Sequence, residues 1–307
     1  MMTTSSTEHR CGFVAVMGRP NVGKSTLLNA LVGMKIAAVS PWPQTTRRRQ
    51  LGILTRQDAQ VIFVDTPGVH KPLHQLGEWM NEEAADVLEN CDVALFLVDV
   101  SLPPNPEDIL LADLLKGLKK PKATIISLNK MDLVEQSILI ERESAYRELC
   151  PAAVLVLPIS ATRGDNLDEL LDRIISLLPE APAFYPEDQL TDLFEREIAA
   201  DLIREAALYH LRDEVPHSIA VRIDEFKERN EHGAFIAATL FVERESQKGI
   251  VIGQNGLMLK KIGMQARRAI EAMTQRKVFL QLRVKVRKNW RNDENSLRQF
   301  GFSPLRK

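Results

Sequence analysis

The sequence predicts an α/β domain with a mostly parallel sheet, followed by a smaller α+β domain. Two observations predict this fold class: short apolar runs alternate with helix-length segments over the first 180 residues, and a proline-rich break then separates a second pattern. The length of 307 residues suits two ordinary domains. With 45% apolar and 26% charged residues, the composition is that of a globular protein and excludes a disordered or fibrous chain.

Six short apolar runs in the first part predict strands, which cover residues 13–17, 52–55, 61–64, 93–98, 124–128 and 154–159. Between several of them, segments such as 109–118 and 167–178 repeat apolar residues with a helical period of about 3.6. Strands that alternate with helices favour a mostly parallel sheet covered on both faces.

The segment 179–186 contains three prolines in eight residues, so it can continue neither a helix nor a central strand and predicts a linker. Beyond it, patterns follow in the order α, β, β, α, β, over residues 192–211, 219–226, 235–242, 257–273 and 278–286. The expected boundaries are a flexible N-terminus at 1–11, a first domain at 12–180, a linker at 181–191, a second domain at 192–291 and a mobile tail with a short helix at 292–307.

The cysteine content and the N-terminus indicate a soluble protein of the reducing cytoplasm. The three cysteines are odd in number and widely spaced, at Cys11, Cys91 and Cys150, which fits neither a disulfide framework nor a zinc site. The first ten residues lack the apolar segment of a secretion signal, and the apolar runs are far shorter than the roughly 20 residues that span a bilayer.

The formal net charge of -1 hides an asymmetry between the two halves of the chain. Residues 1–190 carry 18 Lys and Arg against 25 Asp and Glu, whereas residues 191–307 carry 22 against 16. Residues 248–307 alone carry 15 basic side chains against three acidic ones. A patch of this kind favours a polyanionic partner.

A phosphate-binding loop is predicted directly after the first strand, because GRPNVGKS fits the pattern G-x-x-x-x-G-K-[ST]. The glycines let backbone N–H groups point at phosphate, Lys24 supplies a charge, and the Ser25 hydroxyl can join a Mg²⁺ shell. The candidate nucleotide-binding residues of this loop are Gly18, Arg19, Pro20, Asn21, Val22, Gly23, Lys24, Ser25 and Thr26.

A second candidate segment, Asp65, Thr66, Pro67 and Gly68, follows the apolar run 61–64. It therefore places a carboxylate at the carboxyl end of a strand, where ligands bind in such sheets. We expect Asp65 to hold Mg²⁺ through water.

The segment Asn129, Lys130, Met131 and Asp132 predicts which base is bound. A carboxylate at Asp132 can accept hydrogen bonds from the N1–H and 2-amino groups of guanine, and adenine offers no such pair. Asn129 would fix the loop and reach the base edge, and the Lys130 stem would pack on the ring. Ser160, Ala161 and Thr162 follow the last strand, where the Ala161 N–H would approach the guanine oxygen.

The order and spacing of these motifs resemble those of translation-factor-like small GTPases, and the segment SPWPQTTR at 40–47 resembles the first switch of the Era family. The resemblance implies GTP and GDP as ligands, and Mg²⁺ held by Ser25, Asp65 and a switch threonine, Thr46 or alternatively Thr45. Trp42 stands where family members commonly carry lysine, which should alter switch contacts but leave Mg²⁺ binding intact.

Hydrolysis of GTP needs positioning and charge stabilisation more than covalent chemistry. We assign Lys24, Thr46 and Gly68 to catalysis. Val69 follows Gly68 where Ras-like enzymes have a water-orienting glutamine, so the intrinsic rate should be slow. The resemblance also implies a K⁺ ion at Asn21; a purely loop-stabilising role is the alternative.

In the basic half, the G-x-x-G turn of Gly253, Gln254, Asn255 and Gly256, in an α, β, β, α, β order, resembles a type II KH domain. In that module glycines let the backbone clamp about four nucleotides of single-stranded RNA. The turn lacks the lysine or arginine often found between its glycines, so charge must come from Lys248, Lys260 and Lys261. Further basic candidates are Arg267, Arg268, Arg283, Lys285 and Arg287.

Taken together, the motifs cover residues 12–302 and resemble the Era family of RNA-binding GTPases. The family resemblance implies binding near the 3′ end of 16S ribosomal RNA and a role in assembly of the 30S subunit. Separately, we expect a monomer. Two alternatives stay open: a GTPase that docks peripherally on the cytoplasmic side of the membrane, and a tRNA-modification GTPase. A protein that docks on a membrane surface is expected to carry a strongly amphipathic basic helix, whereas here the basic residues surround a turn and lie on a strand.

Overall fold

The computed structural model describes residues 9–40, 42, 45–68, 72–230 and 233–302. These residues divide into two compact units. The first consists of the described residues within Met1–Gly33, Arg48–His70 and Glu83–Asp192, and the second of those within Met34–Arg47, Lys71–Glu82 and Leu193–Lys307. This division differs from the predicted boundaries, because two segments of the first half of the sequence belong to the second unit.

The first unit contains six strands: β1 (Arg10–Met17), β2 (Gln50–Thr55), β3 (Ala59–Asp65), β4 (Val93–Asp99), β5 (Ala123–Asn129) and β6 (Leu155–Pro158). They form one sheet in the order β2-β3-β1-β4-β5-β6, and only β2 runs antiparallel to its neighbour. Strands β3 and β4 are buried at every position, as their continuous apolar sequences predict for a sheet covered on both faces.

The helices of this half are α1 (Lys24–Val32), α2 (Gln75–Asn90), α3 (Pro106–Lys116), α4 (Gln136–Leu149) and α5 (Leu167–Leu177). A capping box formed by Asn105 and Asp108 begins α3. The α/β prediction and all six strands are thus confirmed. Strand β1 nevertheless begins at Arg10, inside the N-terminal segment 1–11 that was expected to be flexible.

The predicted linker, 181–191, is held on the first unit by a buried side chain. The Gln60 Oε1 accepts from the backbone N–H groups of Phe184 and Tyr185, at 2.8 and 2.9 Å, and its Nε2 donates to the Tyr185 carbonyl at 2.9 Å. The Ile53 N–H also donates to the Leu190 carbonyl at 2.8 Å. The segment is therefore irregular, but it is bonded to the sheet.

The second unit contains α6 (Glu195–His210), α7 (Val215–Ser218), β7 (Ala220–Asn230), β8 (Gly233–Val242), α8 (Glu245–Ile252), α9 (Leu257–Thr274), β9 (Lys277–Val286) and α10 (Glu294–Gln299). Its sheet has the order β7-β8-β9, with β8 antiparallel to β7 and parallel to β9. The five predicted elements are present. The sequence interpretation missed α8, because its apolar end at residues 250–252 was taken for a short segment before the turn.

The short helix expected within 292–307 is present as α10, but the described part of this segment does not form a mobile tail. Trp290 and Leu297 are fully buried, and Phe300 is nearly so. They form a cluster with Phe241 of β8 and with other side chains of the second unit. The Trp290 indole N–H donates to the Ser218 carbonyl at 2.8 Å. Apolar contact thus fixes residues that look polar and featureless as a sequence.

Within the described part of the chain, no helix is both long and apolar enough to cross a membrane.

Candidate functional site

The predicted nucleotide motifs meet at one edge of the first sheet. The loop 18–23 joins the end of β1 to the start of α1. Asp65 ends β3, and Asn129 ends β5. Because these three strands are parallel, their carboxyl ends lie at the same edge, which is where open α/β sheets bind ligands.

Gly23 shows why the loop needs glycine. Its φ of 103° lies in the left-handed region, and a Cβ atom there would stand 2.4 Å from the Asn129 Nδ2. The Asn129 Nδ2 donates to the Val22 carbonyl at 2.7 Å, and the Ala161 N–H donates to the Asn129 Oδ1 at 3.0 Å. Asn129 therefore locks the phosphate loop to the 160–162 segment, as its predicted loop-fixing role requires.

The Ala161 N–H is thus bonded to Asn129, whereas the sequence places it near the guanine oxygen. A contact with guanine would have to share this donor. Ser160 is fully buried, and its hydroxyl accepts from the Arg163 N–H at 3.2 Å, which shapes the turn.

Lys24 is buried inside the phosphate loop, with only 7% of its surface exposed. Its ammonium donates to the carbonyls of Gly18, at 2.8 Å, and Arg19, at 3.1 Å. Burial lowers the pKa of Lys24 to about 8, although the nearby Asp65 carboxylate acts in the opposite direction. Among the residues that the structure describes, no carboxylate forms an ion pair with this ammonium, although the Asp65 charge is nearby.

The chemistry of Ser25 and Asp65 fits a magnesium ion. The Ser25 Oγ donates to the Asp65 Oδ2 at 2.8 Å, and Asp65 is fully buried. Hydroxyl and carboxylate oxygens are hard ligands that Mg²⁺ prefers. In the same motif, the Thr66 hydroxyl donates to the Val16 carbonyl at 2.9 Å. Gly68 packs on the phosphate loop, since a Cβ there would lie 3.1 Å from the Pro20 nitrogen.

Asp132 presents an acceptor for a base. It lies on the 3-10 turn Met131–Leu133 that follows β5, and its Oδ1 is buried without a hydrogen-bond partner among the described residues. A buried carboxylate oxygen of this kind is costly unless a ligand supplies a donor. This geometry favours the predicted contact with the guanine N–H groups.

The switch segment that carries Thr46 belongs to the second unit. The Thr45 hydroxyl donates to the Trp42 carbonyl at 2.7 Å and lies 2.7 Å from the Ser40 hydroxyl. Thr45 thus serves the loop itself, which favours Thr46 as the metal ligand. Val69, on which the expectation of a slow rate rests, lies outside the described residues.

In the second unit, the predicted G-x-x-G turn joins α8 to α9. Gly253 has φ 71°, and a Cβ there would meet the Met258 Cβ at 2.6 Å, whereas Gly256, at φ 76°, has open space. Gln254 and Asn255 are exposed. Lys260 and Lys261 are exposed on α9, and Lys248 pairs with Glu245 at 3.5 Å.

Beside the turn lies a groove of about 350 Å³ between α9 and β9. Its lining is largely apolar with two basic side chains, and consists of Gly256, Leu259, Lys260, Gly263, Met264, Arg267, Phe279, Leu280 and Leu282. The groove suits a flat apolar group attached to an anionic backbone.

Both halves match known families. A family model described as a 50S ribosome-binding GTPase matches residues 13–130, and a KH-domain model matches residues 214–291. GTPase Era of Halothermothrix orenii is 45% identical over 294 residues, which are 96% of this chain and 99% of the relative. GTPase Era of Geobacter metallireducens is 46% identical over 300 residues, which are 97% and 100%. This chain belongs to the Era family of GTPases.

Solved Era structures share the fold. A crystal structure of Era in complex with MgGDPNP and nucleotides 1506–1542 of 16S ribosomal RNA has a TM-score of 0.91 at 41% identity, covering 96% of this chain and 99% of that one. A variant of Aquifex aeolicus Era bound to GDP·AlF₄⁻ has a TM-score of 0.90 at 41% identity, with the same coverage. The predicted pairing of a GTPase domain with a KH domain is confirmed, and this Era-family chain hydrolyses GTP.

Sequence reasoning missed two carboxylates that support the Era nucleotide site. Although burial opposes its charge, hydrogen bonds from Lys130, at 2.6 Å, and from Ser101 lower the pKa of Asp99. Asp99 also lies 3.9 Å from the Arg19 guanidinium, and Asp108 lies 3.6 Å from it. Asp99 ends a buried strand just as Asp65 does, and that signal could have identified it.

Because the pKa of Lys24 is about 8, we expect the protein to take up a proton when it binds nucleotide near that pH. At that pH part of the buried ammonium is neutral, and bound phosphates favour the charged form, so its pKa should rise on binding. Affinity should therefore fall as pH rises above about 8, by up to about tenfold per pH unit. Calorimetry at pH 8 in buffers of different ionisation enthalpy measures the uptake. Guanosine, which lacks phosphate, is the control; equal proton uptake with guanosine and GTP would contradict the assignment to Lys24.

Proposed function

We propose that this Era-family GTPase binds GTP or GDP with Mg²⁺ through residues 12–180, binds the 3′ end of 16S ribosomal RNA through residues 192–291, and assists assembly of the 30S subunit in the cytoplasm. The observation that supports it most is the combination, in one chain, of a phosphate loop that holds the buried Lys24 with a glycine turn beside an apolar groove that carries two basic side chains. The related Era structure with MgGDPNP and 16S RNA supports the same pairing.

In the nucleotide site, Ser25, Asp65 and Thr46 would hold the metal ion. Bound Mg²⁺ neutralises charge on the β- and γ-phosphates. Lys24 would bind the same phosphate groups, and the loop amides from Gly18 onward would orient them. Gly68, which packs on Pro20, is positioned to sense the γ-phosphate through its backbone.

A K⁺ ion beside the phosphates would explain Asn21, whose backbone is left-handed at φ 65°. We expect turnover of GTP to be severalfold faster in K⁺ than in Na⁺. The Asn21→Gly variant keeps the left-handed backbone and removes the amide oxygen, so it should lose the K⁺ advantage and retain GDP affinity. Steady-state phosphate release in matched chloride salts measures this, and equal rates in the two salts would rule out the K⁺ role.

In the second unit, the turn Gly253–Gly256 and the groove would bind single-stranded RNA. Glycine backbones let phosphates approach the N–H groups closely. The excess of basic side chains over residues 248–307 supplies long-range attraction, so RNA binding should weaken steeply with salt.

The test measures binding of oligonucleotides from the 16S RNA 3′ end with a GTP analogue, GDP or no nucleotide. Gly256→Asp places a carboxylate that would repel phosphate at a position with open space around it, and Gly256→Asn controls for the strain that a side chain meets on this left-handed backbone at φ 76°. We expect affinity to fall about tenfold or more. The control pair Asn295→Asp and Gln299→Asp adds charge to exposed positions of α10. If Gly256→Asp leaves RNA affinity unchanged, or if anionic vesicles bind better than RNA, the proposal fails and membrane docking gains support.

A further inference from the structure

The second sheet carries a pair of stacked aromatic rings, one of which is exposed. The register places Phe235 of β8 opposite Phe279 of β9, and their rings stack with centroids 5.8 Å apart and an interplanar angle of 17°. Phe279 is 63% exposed. Most of the face and edge of this ring is therefore free to contact a ligand.

The ring of Phe279 also borders the groove beside the G-x-x-G turn. Among the described strands, β9 pairs only with β8, and residues of its other edge line the groove. The next residues, Leu280 and Leu282, line that groove as well. An RNA strand that lies in the groove would therefore meet Phe279 where it crosses the edge of β9.

Charge on the sheet face favours a polyanion along β9. Alternate residues of this strand are exposed, and they are Lys277, Phe279, Gln281, Arg283 and Lys285. Among the residues that the structure describes, no acidic side chain lies within ion-pair distance of Lys277 or Arg283. Two acidic groups of β7 pair within their own strand, Asp224 with Arg222 at 2.7 Å and Glu225 with Lys227, whereas Glu228 pairs with Arg276 at 3.0 Å. Although burial opposes this shift, the charge of Lys285 also helps to lower the pKa of Asp224, so Lys285 is partly balanced and Lys277 and Arg283 carry most of the excess charge.

We infer that single-stranded RNA leaving the groove crosses the edge of β9 and stacks one further base on the Phe279–Phe235 pair, with its backbone following Arg283 and Lys285. This inference rests on the proposed RNA-binding function and extends the site beyond the nucleotides that the turn and groove hold. Aromatic stacking accepts any base, because every base has a π face. The extension therefore adds affinity and length dependence without adding sequence specificity.

The experiment uses the full chain and RNAs of four to ten nucleotides from the 16S 3′ end, measured by fluorescence anisotropy. In the wild type, affinity should rise when the RNA grows beyond the groove. Phe279→Leu keeps an apolar side chain in the groove lining but removes the ring, so it should lose most of that gain, about 5- to 100-fold, and its loss with the shortest RNA should be much smaller. Phe279→Trp should retain the gain, and its fluorescence should change when the longer RNA binds.

Tyr209→Leu is the matched control, because it removes another exposed aromatic ring of the same unit, one that lies outside the groove and the sheet face. If Phe279→Leu binds every RNA as the wild type does, stacking on Phe279 is refuted. An equal loss at all lengths would show that the ring is only part of the groove floor, which also refutes the extension. A wild type that binds none of the RNAs would instead refute the proposed function.

Discussion

Replacing Asp132 by asparagine should lower the affinity for GTP by roughly 10²- to 10⁴-fold, since the hydrogen bond from the 2-amino group is lost and the bond from N1–H is made to a neutral acceptor instead of a charged one. The buried Oδ1 of Asp132 lacks a hydrogen-bond partner in the described chain, and we expect guanine to supply it. The amide of the variant presents an N–H group where guanine offers its own 2-amino group, so donor faces donor. Titration with a fluorescent GTP analogue measures the loss.

The same substitution should create a new preference. Xanthine carries an oxygen at position 2, which can accept from the new amide N–H, while the amide oxygen still accepts from N1–H. Asp132→Asn should therefore bind xanthosine triphosphate better than GTP and hydrolyse it. Glu135→Gln makes the same change of charge at an exposed position three residues away and should leave the preference for GTP intact. If Asp132→Asn still prefers GTP over xanthosine triphosphate, a group other than Asp132 determines which base is bound.

The sequence correctly predicts the residues whose role depends on a pattern of neighbouring residues. The phosphate loop depends on a left-handed glycine and on a strand-to-helix junction, and both leave a signature within eight residues. Asp65 and Asn129 were found because each ends a continuous apolar run. The buried strands were predicted for the same reason, since a strand covered on both faces must be apolar throughout.

The residues that it missed act across long separations in sequence. Gln60 holds a segment more than 120 positions away by hydrogen bonds. The residues that neighbour Gln60 in the sequence give no sign of this contact. Helix α8 was missed because its apolar residues are too few to show a helical period. Residues 34–47 belong to the second unit, where Arg47 is bonded to carbonyls more than 160 positions away, and arginine is a residue type that is almost never fully buried unless it is paired.

Arg47→Met should destabilise the second unit by roughly 2–4 kcal/mol. Arg47 is 5% exposed, and its guanidinium donates to the carbonyls of Ile219, at 2.7 Å, and His217, at 3.1 Å. It also lies 5.7 Å from the centre of the Trp290 ring. Methionine fills similar space but leaves both carbonyls without this donor, which costs about 1–3 kcal/mol for each buried group.

One effect opposes that loss. Burial lowers the pKa of Arg47, and the like charges of Arg204 and Arg291 lower it further, so removing the guanidinium relieves desolvation and repulsion. Part of the repulsion is already screened, because Arg291 pairs with Glu243 at 2.6 Å and Arg204 lies 3.8 Å from Asp201. The lost hydrogen bonds should therefore dominate, and Arg47→Lys, which keeps the charge but not the planar fork, should lose less.

Tryptophan fluorescence reports this unit selectively, because all three tryptophans, Trp42, Trp79 and Trp290, belong to it. The midpoint of thermal unfolding followed at these residues should fall by roughly 5–15 °C in Arg47→Met. Arg49→Met, at an exposed position two residues away, should leave the midpoint within about 1–2 °C of the wild type. Equal midpoints for Arg47→Met and the wild type would show that the buried guanidinium contributes nothing net.

Arg47→Met should also change the affinity for GTP more than the affinity for GDP. Arg47 fixes the backbone next to Thr46, the proposed metal ligand of the GTP state, and ordering a freed residue costs about 1–2 kcal/mol. Arg47→Met should therefore weaken Mg²⁺–GTP binding by up to about tenfold and leave GDP binding unchanged, because Thr46 is proposed to act only when the γ-phosphate is present. Parallel titrations with GDP and a GTP analogue measure the ratio. An equal loss for both nucleotides would mean that Arg47 acts on the stability of the protein and not on the switch.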